Sequence, residues 1–288
     1  ALHWKTKEGL VRGCSCRGTS GFVHVSCLAE QAKILMDEAE ENNLGYKAFD
    51  ERWMRWHTCS LCEQSYHGVV SCALGWACWK TYVGRPETNF ARRLAISVLG
   101  NGLYDADHHE EALSVKEAEL SIERRLGTSE HNMLFIQGNI ANTYKKLGRI
   151  EEAVQMKRDT YSGWLRLNGE EHKDTLKAAM NYASSLNDLR RFEEAKSLLR
   201  KTIPVARRVL GESNETTIMI RWHYARALAL DSGPMLDDLR EAVTTLEDIE
   251  RIARRVLGGA HPATESIGSN LREVRAELRA REAQSGEA

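Results

Sequence analysis

The stretch Asn139-Ile140-Ala141-Asn142-Thr143-Tyr144, followed by Leu147-Gly148-Arg149-Ile150-Glu151-Glu152-Ala153, decides the fold. Small and apolar residues recur at helical spacing on both sides of a Leu-Gly break, so it reads as two helices joined by a tight turn. Ala141 is followed three positions on by the bulky Tyr144, and Ala153 opens the second helix after two glutamates. The same arrangement recurs at Gly100/Leu103 with Glu111-Ala112, at Ala183/Leu186 with Glu194-Ala195, and at Ala225/Leu228 with Glu241-Ala242. Small residues let paired helices approach, and the large ones fill the space between them.

Outward from this unit the chain repeats. Glycines at 84, 127, 169, 211 and 258 start successive periods, with steps of 43, 42, 42 and 47 residues. The last step carries five extra residues around Leu230-Asp231-Ser232-Gly233-Pro234. Periods of this size mean a solenoid. Four prolines in 288 residues fit long helices. Gly68–Tyr82 reads as a buried helix placed where the second helix of a preceding repeat would sit. The helix from Thr264 to about Ala283 is rich in Arg and Glu and would cap the array with a polar face. Ser285-Gly286-Glu287-Ala288 is expected to fray.

The Asn139–Ala153 pattern resembles a tetratricopeptide repeat. The period and the Leu-Gly-x-x-His-x-x-Thr-Leu-like junctions resemble the kinesin light chain type. That resemblance implies a superhelix with a concave groove that takes peptides. Groove candidates are Asn101, Asn139, Asn142, Asn181, Arg226 and Asn270. Side-chain amides can bond both N–H and C=O of an extended peptide. The same asparagines could instead satisfy neighbouring helices. His131, His172 and His261 recur at repeat junctions, which points to turn packing and not to a metal site.

Upstream lies a second kind of pattern. Cys14-Ser15-Cys16 is followed by His24-Val25-Ser26-Cys27 and, after 31 residues, by Cys59-Ser60-Leu61-Cys62. Thiolates and imidazoles spaced as close pairs are what a tetrahedral Zn²⁺ site uses. The order, with Arg17-Gly18 and Val23-His24 between the ligands, resembles a RING-CH finger over roughly residues 10–66. In that family's cross-braced layout Cys14, Cys16, Cys59 and Cys62 share one zinc, and His24 and Cys27 hold half of a second site. The family's first Cys-x-x-Cys pair has no counterpart in residues 1–13, where His3 is the only other candidate ligand. The chain opens at Ala1, and the expectation is a fragment of a longer chain. His67 or Cys72 is an alternative source for the half-site. Cys72 and Cys78 otherwise read as core residues of the Gly68–Tyr82 helix. Trp53 and Trp56 read as packing for the finger or, alternatively, as a docking surface. Leu28–Met36 has helical spacing and ends at Asn42-Asn43-Leu44-Gly45.

The expected architecture is mostly α: a small zinc-binding RING-like domain at residues 1–67, then an α-solenoid of tetratricopeptide type at 68–284. Net charge of −1 gives no field for nucleic acid or membrane, and 42% hydrophobic with 28% charged residues is ordinary for a helical protein. Seven cysteines, six of them in or just after the finger, suit metal ligation in a reducing compartment better than a disulfide framework. A cytoplasmic location is expected, and a nuclear one is compatible. No phosphate-binding glycine loop or nucleophile elbow occurs. His108-His109-Glu110-Glu111 is the polar start of a repeat helix. The resemblance implies a Zn²⁺-dependent E3 ubiquitin ligase in which the finger binds an E2 enzyme and the repeats recruit a substrate or cargo peptide. The alternative is a non-enzymatic interaction scaffold. Two departures bear on that choice. Many RING-CH fingers carry Trp four residues after the sixth ligand, where this chain has Gln31. Many RING ligases carry Arg just after the last ligand, where Glu63 and Gln64 stand here.

Overall fold

The computed structural model describes residues 2–3, 5–16, 21–231, 233–259 and 261–286. Arg17–Ser20 of the finger motif, Ser232, Ala260 and the terminal Glu287-Ala288 lie outside the described residues. Among those described are twelve α-helices, a 3-10 turn and one two-stranded sheet. Contacts group the chain into two units, Ala1–Leu147 and Gly148–Ala288.

The first unit begins with β1 (Val11–Arg12) paired antiparallel to β2 (Phe22–Val23), with Val11 opposite Val23. Helix α1 (Val25–Glu41) follows, three residues earlier than the apolar spacing alone suggests, and stops at Asn42 as expected. Then come α2 (Tyr46–Trp53), the 3-10 turn Met54–Trp56, α3 (Gly68–Tyr82), α4 (Phe90–Asp105), α5 (His109–Arg125) and α6 (Glu130–Lys146). Helix α3 serves two cores. Val70 and Leu74 pack beside Cys14, Cys59 and Tyr66. Cys78 and Tyr82 pack with Trp53, Trp56, Ala32 and Met36 from the finger and with Ala91 and Ala95 from α4. The Tyr82 ring stands 5.5 Å from Trp53 and 6.1 Å from Trp56. The two tryptophans are therefore core residues, yet the core they fill is shared with the first repeat and not confined to the finger.

Helices α3 and α4 touch backbone to backbone. A Cβ added at Gly75 would lie 3.0 Å from the Leu99 Cα, and one at Gly102 would lie 2.5 Å from the Ser71 carbonyl oxygen. Burial of apolar surface along this seam, with no side chain between the backbones, fixes the finger against the first repeat.

The second unit runs α7 (Ile150–Asn168), α8 (Lys173–Asp188), α9 (Phe192–Leu210), α10 (Glu215–Leu230), α11 (Leu236–Val256) and α12 (Pro262–Gly286). Consecutive helices pack on one another throughout, and α10 also packs on α8 and α12. Its core gathers Ala183, Leu199, Ile218, Ala225, Leu228, Ala242, Leu246 and Ile267. The small residues that define the repeat are all buried: Ala112, Ala141, Ala153, Ala183, Ala195, Ala225 and Ala242 have no exposed surface, and Gly100 is buried in α4. Gly169 and Gly211 end α7 and α9 at φ of 79° and 85°, a region that favours glycine, which is why glycine recurs at these repeat junctions. Helix α12 continues through Gly286, two residues into the tail expected to fray.

The junction histidines divide. His172 caps α8, with Nδ1 accepting from the Asp174 N–H at 3.3 Å, and His261 accepts from the Ala263 N–H at 3.2 Å. Asn214, at the same place in its repeat, accepts from the Thr216 N–H. These residues satisfy donors that a helix start leaves open. His131 falls inside α6, whose cap is Ser129, and does not share that role.

Candidate metal centre and groove

Four cysteine sulfurs converge in the finger. Cys14, Cys16, Cys59 and Cys62 bring their Sγ atoms within 4.8 Å of one another, and Cys16 and Cys59 are 3.7 Å apart. Local geometry explains how a 31-residue gap closes. The Thr58–Ser65 bridge folds the second cysteine pair into a knuckle. There the Cys59 N–H donates to the Gln64 carbonyl at 2.9 Å, and Glu63 takes φ of 55°. The His67 N–H donates to the Gly13 carbonyl at 2.9 Å, tying this knuckle to the first. Cys14 and Cys59 are buried, and Cys16 and Cys62 are half-buried.

The donor set fits a metal ion. Sulfurs at tetrahedral corners about 2.3 Å from an ion stand roughly 3.8 Å apart, and the Cys16–Cys59 separation matches. Four sulfurs with no carboxylate suit a soft, tetrahedral ion. Among these thiols, local hydrogen bonding favours the thiolate at Cys59. Burial opposes ionisation of Cys59, but the N–H groups of Cys62 and Leu61 and the thiols of Cys14 and Cys16 outweigh it and bring the pKa to about 7. Cys16 is pushed up to about 12, first by its hydrogen bond with Cys14. Burial pushes Cys14 up.

His24 and Cys27 lie together, with Nδ1 3.9 Å from Sγ. The His3 ring centroid is 5.1 Å from that of His24. The Cys₄ cluster is the one group of three or more ligand atoms in metal-binding range among the described residues, so neither His67 nor Cys72 completes the His24/Cys27 pair. Cys72 packs against Leu99, Leu103 and Ala112, and Cys78 is fully buried. Glu8 accepts from the Ser26 Oγ at 2.5 Å and from the Ser26 N–H at 2.8 Å. Those bonds anchor the start of α1, and the first of them is the main force holding the Glu8 pKa low.

The groove candidates fall in different units. Asn101, Asn139 and Asn142 line a cavity of about 750 Å³ in the first unit. Its walls come from α2, α4, α5 and α6 with Ser71 of α3 and His57, Ser65 and Tyr66, so the finger's long insert closes one side. Asn181 is half-buried on α8. In the second unit Arg226 stands over the Trp222 ring at 5.5 Å. Asn270 Oδ1 accepts from Trp222 Nε1 at 2.8 Å, and its Nδ2 donates to Glu273. Arg226 and Asn270 both line a cavity of about 360 Å³. Asn270 thus already serves a neighbouring helix.

The larger cavity has a charged lining that composition alone does not reveal. Arg93 donates two hydrogen bonds to Glu123, through Nε at 2.6 Å and through Nη2. Ser97 Oγ donates to Glu119. Lys116 Nζ donates to Thr143 Oγ1 at 3.1 Å and lies 4.5 Å from the Tyr104 ring centroid. Burial raises Glu119 to about 7 and lowers Lys116 to about 8. Lys116, Glu119 and Glu123 share a face of α5 by their i, i+3, i+7 spacing, but a charged face ordinarily reads as solvated.

Comparison with known families agrees with this architecture. A RING-variant domain matches residues 2–43, and the tetratricopeptide repeat matches residues 136–174 and 175–215. The chain therefore carries both modules. The first match stops before Cys59 and Cys62, which the fold brings to Cys14 and Cys16. No curated protein matches the chain. Among solved structures, a protein of Podospora anserina assigned as a kinesin light chain, with nearly identical TPR-like repeats, is 19% identical at a TM-score of 0.51. The match covers 81% of this chain and 97% of that one. A Rap protein solved with competence and sporulation factor is 14% identical at a TM-score of 0.51, with coverage of 89% and 72%. These likenesses show the fold.

Proposed function

We propose that the chain is a zinc-dependent RING-CH-type ubiquitin ligase in which the finger docks a ubiquitin-charged E2 and the repeats recruit the protein to be modified. The observation that carries this reading is the Cys₄ cluster, in which Cys59 and Cys62 join Cys14 and Cys16 of the RING-variant match, together with the α3–α4 seam that leads into the repeats. A Zn²⁺ held by Cys14, Cys16, Cys59 and Cys62 would supply a structural cross-link with no open position for water. His24 and Cys27 would offer two ligands, half of a second site.

In this reading the chain's own residues act by position. The finger exposes Leu2, Phe22, Ile34 and Leu61, apolar side chains that suit protein docking. Holding an E2 thioester beside a bound substrate lowers the entropic cost of the encounter, and this alone accelerates transfer. The groove lined by Asn101, Asn139 and Asn142 would take an extended peptide of the substrate, and Asn181, Arg226 and Asn270 would do so in the second unit.

A second reading is a non-enzymatic scaffold, favoured by Gln31 and by Glu63-Gln64 at positions where ligases of this type often carry Trp and Arg. Autoubiquitination with a panel of E2 enzymes separates the two. The ligase reading expects signal that disappears in Cys59→Ser/Cys62→Ser while the repeats stay helical. Equal, negligible signal from both proteins across the panel leaves the scaffold.

A further inference from the structure

The cavity of about 750 Å³ in the first unit joins two features that rarely share a site. Its mouth is aromatic: Tyr46, Phe90 and Phe135 line it while 73%, 46% and 61% exposed. Its floor is charged, with Lys116 and Glu119 buried.

We propose that this cavity is a recognition pocket for a cationic side chain, lysine or arginine, carried by an extended peptide in the groove. The inference rests on the groove reading above and adds the chemistry of its occupant.

The charge count gives the sign. Asp105, Glu119 and Glu123 line the cavity against Arg93 and Lys116, with His57, whose pKa burial lowers, and His131 also in its wall. Arg93 is spent on Glu123 in a bidentate pair. Lys116 is then the cation facing both Glu119 and Asp105, which also accepts from Ser71 Oγ at 3.1 Å, and its three donors are shared with Thr143. Glu119 receives one hydrogen bond, from Ser97, although a carboxylate can accept about four. The lining carboxylates thus outnumber the Lys and Arg side chains by one, and Glu119, which burial keeps partly protonated near neutral pH, would ionise fully beside an incoming cation.

An incoming ammonium or guanidinium supplies that cation. Its aliphatic stem would lie along Phe135 and Phe90, and its head would pass the faces of aromatic rings that attract cations. Lys116 over Tyr104 already shows this kind of contact inside the cavity. An anionic or phosphorylated group would instead meet three carboxylates. A neutral apolar chain would exclude water from Glu119 and give nothing in return.

The test uses the full chain and four pools of heptapeptides. Each pool fixes the central residue as Arg, Lys, norleucine or Glu, and randomises the other positions. Binding is read by titration at low and at high salt. The Arg and Lys pools should bind about tenfold or more tightly than the norleucine pool, the Glu pool should bind weakest, and the preference should shrink as salt rises. Glu119→Gln should bring the cationic and norleucine pools within about twofold of each other while the protein melts no lower than wild type. Phe135→Ala should weaken the cationic pools without changing the melt. Equal binding of norleucine and cationic pools, still sensitive to Asn139→Ala/Asn142→Ala, would overturn the pocket and leave the groove standing. A cationic preference that survives both Glu119→Gln and Asp105→Asn would overturn it as well. Failure of every pool to bind would overturn the groove reading and the pocket together.

Discussion

Gly102→Ala tests whether α3, the helix that packs on the finger, meets the first repeat through bare backbone. The added Cβ would stand 2.5 Å from the Ser71 carbonyl oxygen, 3.0 Å from the Ser71 carbonyl carbon and 3.1 Å from the Cys72 Cα. All three are main-chain atoms of α3, so no rotamer change relieves the clash. Relief requires the two helices to part, which opens gaps among Leu99, Leu103 and Ala112. Overpacking of this kind costs about 1–3 kcal/mol, and immovable neighbours place it at the upper end. Against this, alanine is better than glycine in a helix by about 1 kcal/mol. The net is a loss of about 2 kcal/mol, or a Tm lower by about 4–8 °C for a chain of this size. Gly138→Ala is the internal control. It lies in α6 with nothing within 4 Å of its would-be Cβ, so the same substitution should raise Tm by about 2 °C. Thermal melts followed at 222 nm read both. A Gly102→Ala protein as stable as wild type, or more so, would refute backbone contact between α3 and α4.

Ala153→Leu should cost about 1–3 kcal/mol because Ala153 is fully buried, whereas Ala118→Leu, on an exposed position of α5, should stay within about 0.5 kcal/mol; equal melts for the two would remove the argument from small residues. Glu119→Gln should stabilise the fold at pH 8 by on the order of 1–3 kcal/mol. The sign follows from the folded carboxyl titrating at about 7 against 4.5 in the open chain. Folding takes up a proton between those values, so stability falls as pH rises through that window, and the gain from Gln should vanish near pH 4.5. Burial of Lys116 imposes the converse, a cost present below about pH 8 that is relieved as pH climbs toward 10.5. Melts of wild type and Glu119→Gln at pH 5 and pH 8 check this, and an identical difference at both would contradict it.

The repeats were legible because their signal is local. A small residue at a helix crossing and a glycine at a helix end each need only their own neighbourhood, and α3 has the Gly68–Tyr82 bounds its sequence suggests. The cysteine cluster was legible for another reason: thiol pairs announce a ligand set whatever the length between them. The rest depends on which polar face turns inward, and periodicity carries no information about that. Lys116, Glu119 and Glu123 have the spacing of a solvated stripe, and only the packing of α4 and α6 beside α5 buries them. Trp222 and Asn270 are 48 residues apart, so their hydrogen bond leaves no trace in either local pattern. Trp53 and Trp56 were recognisable as core, but the finger's own pattern does not reveal that Ala91 and Ala95 of the first repeat complete that core.

The metal content of the purified chain tests the Cys₄ centre most directly. Native mass spectrometry with elemental analysis should find one zinc ion per chain held against mild chelation, and none in Cys59→Ser/Cys62→Ser, with the repeat helices retained in both. A wild-type chain that folds with no metal, or a double variant that keeps its zinc, would contradict a site built from Cys14, Cys16, Cys59 and Cys62.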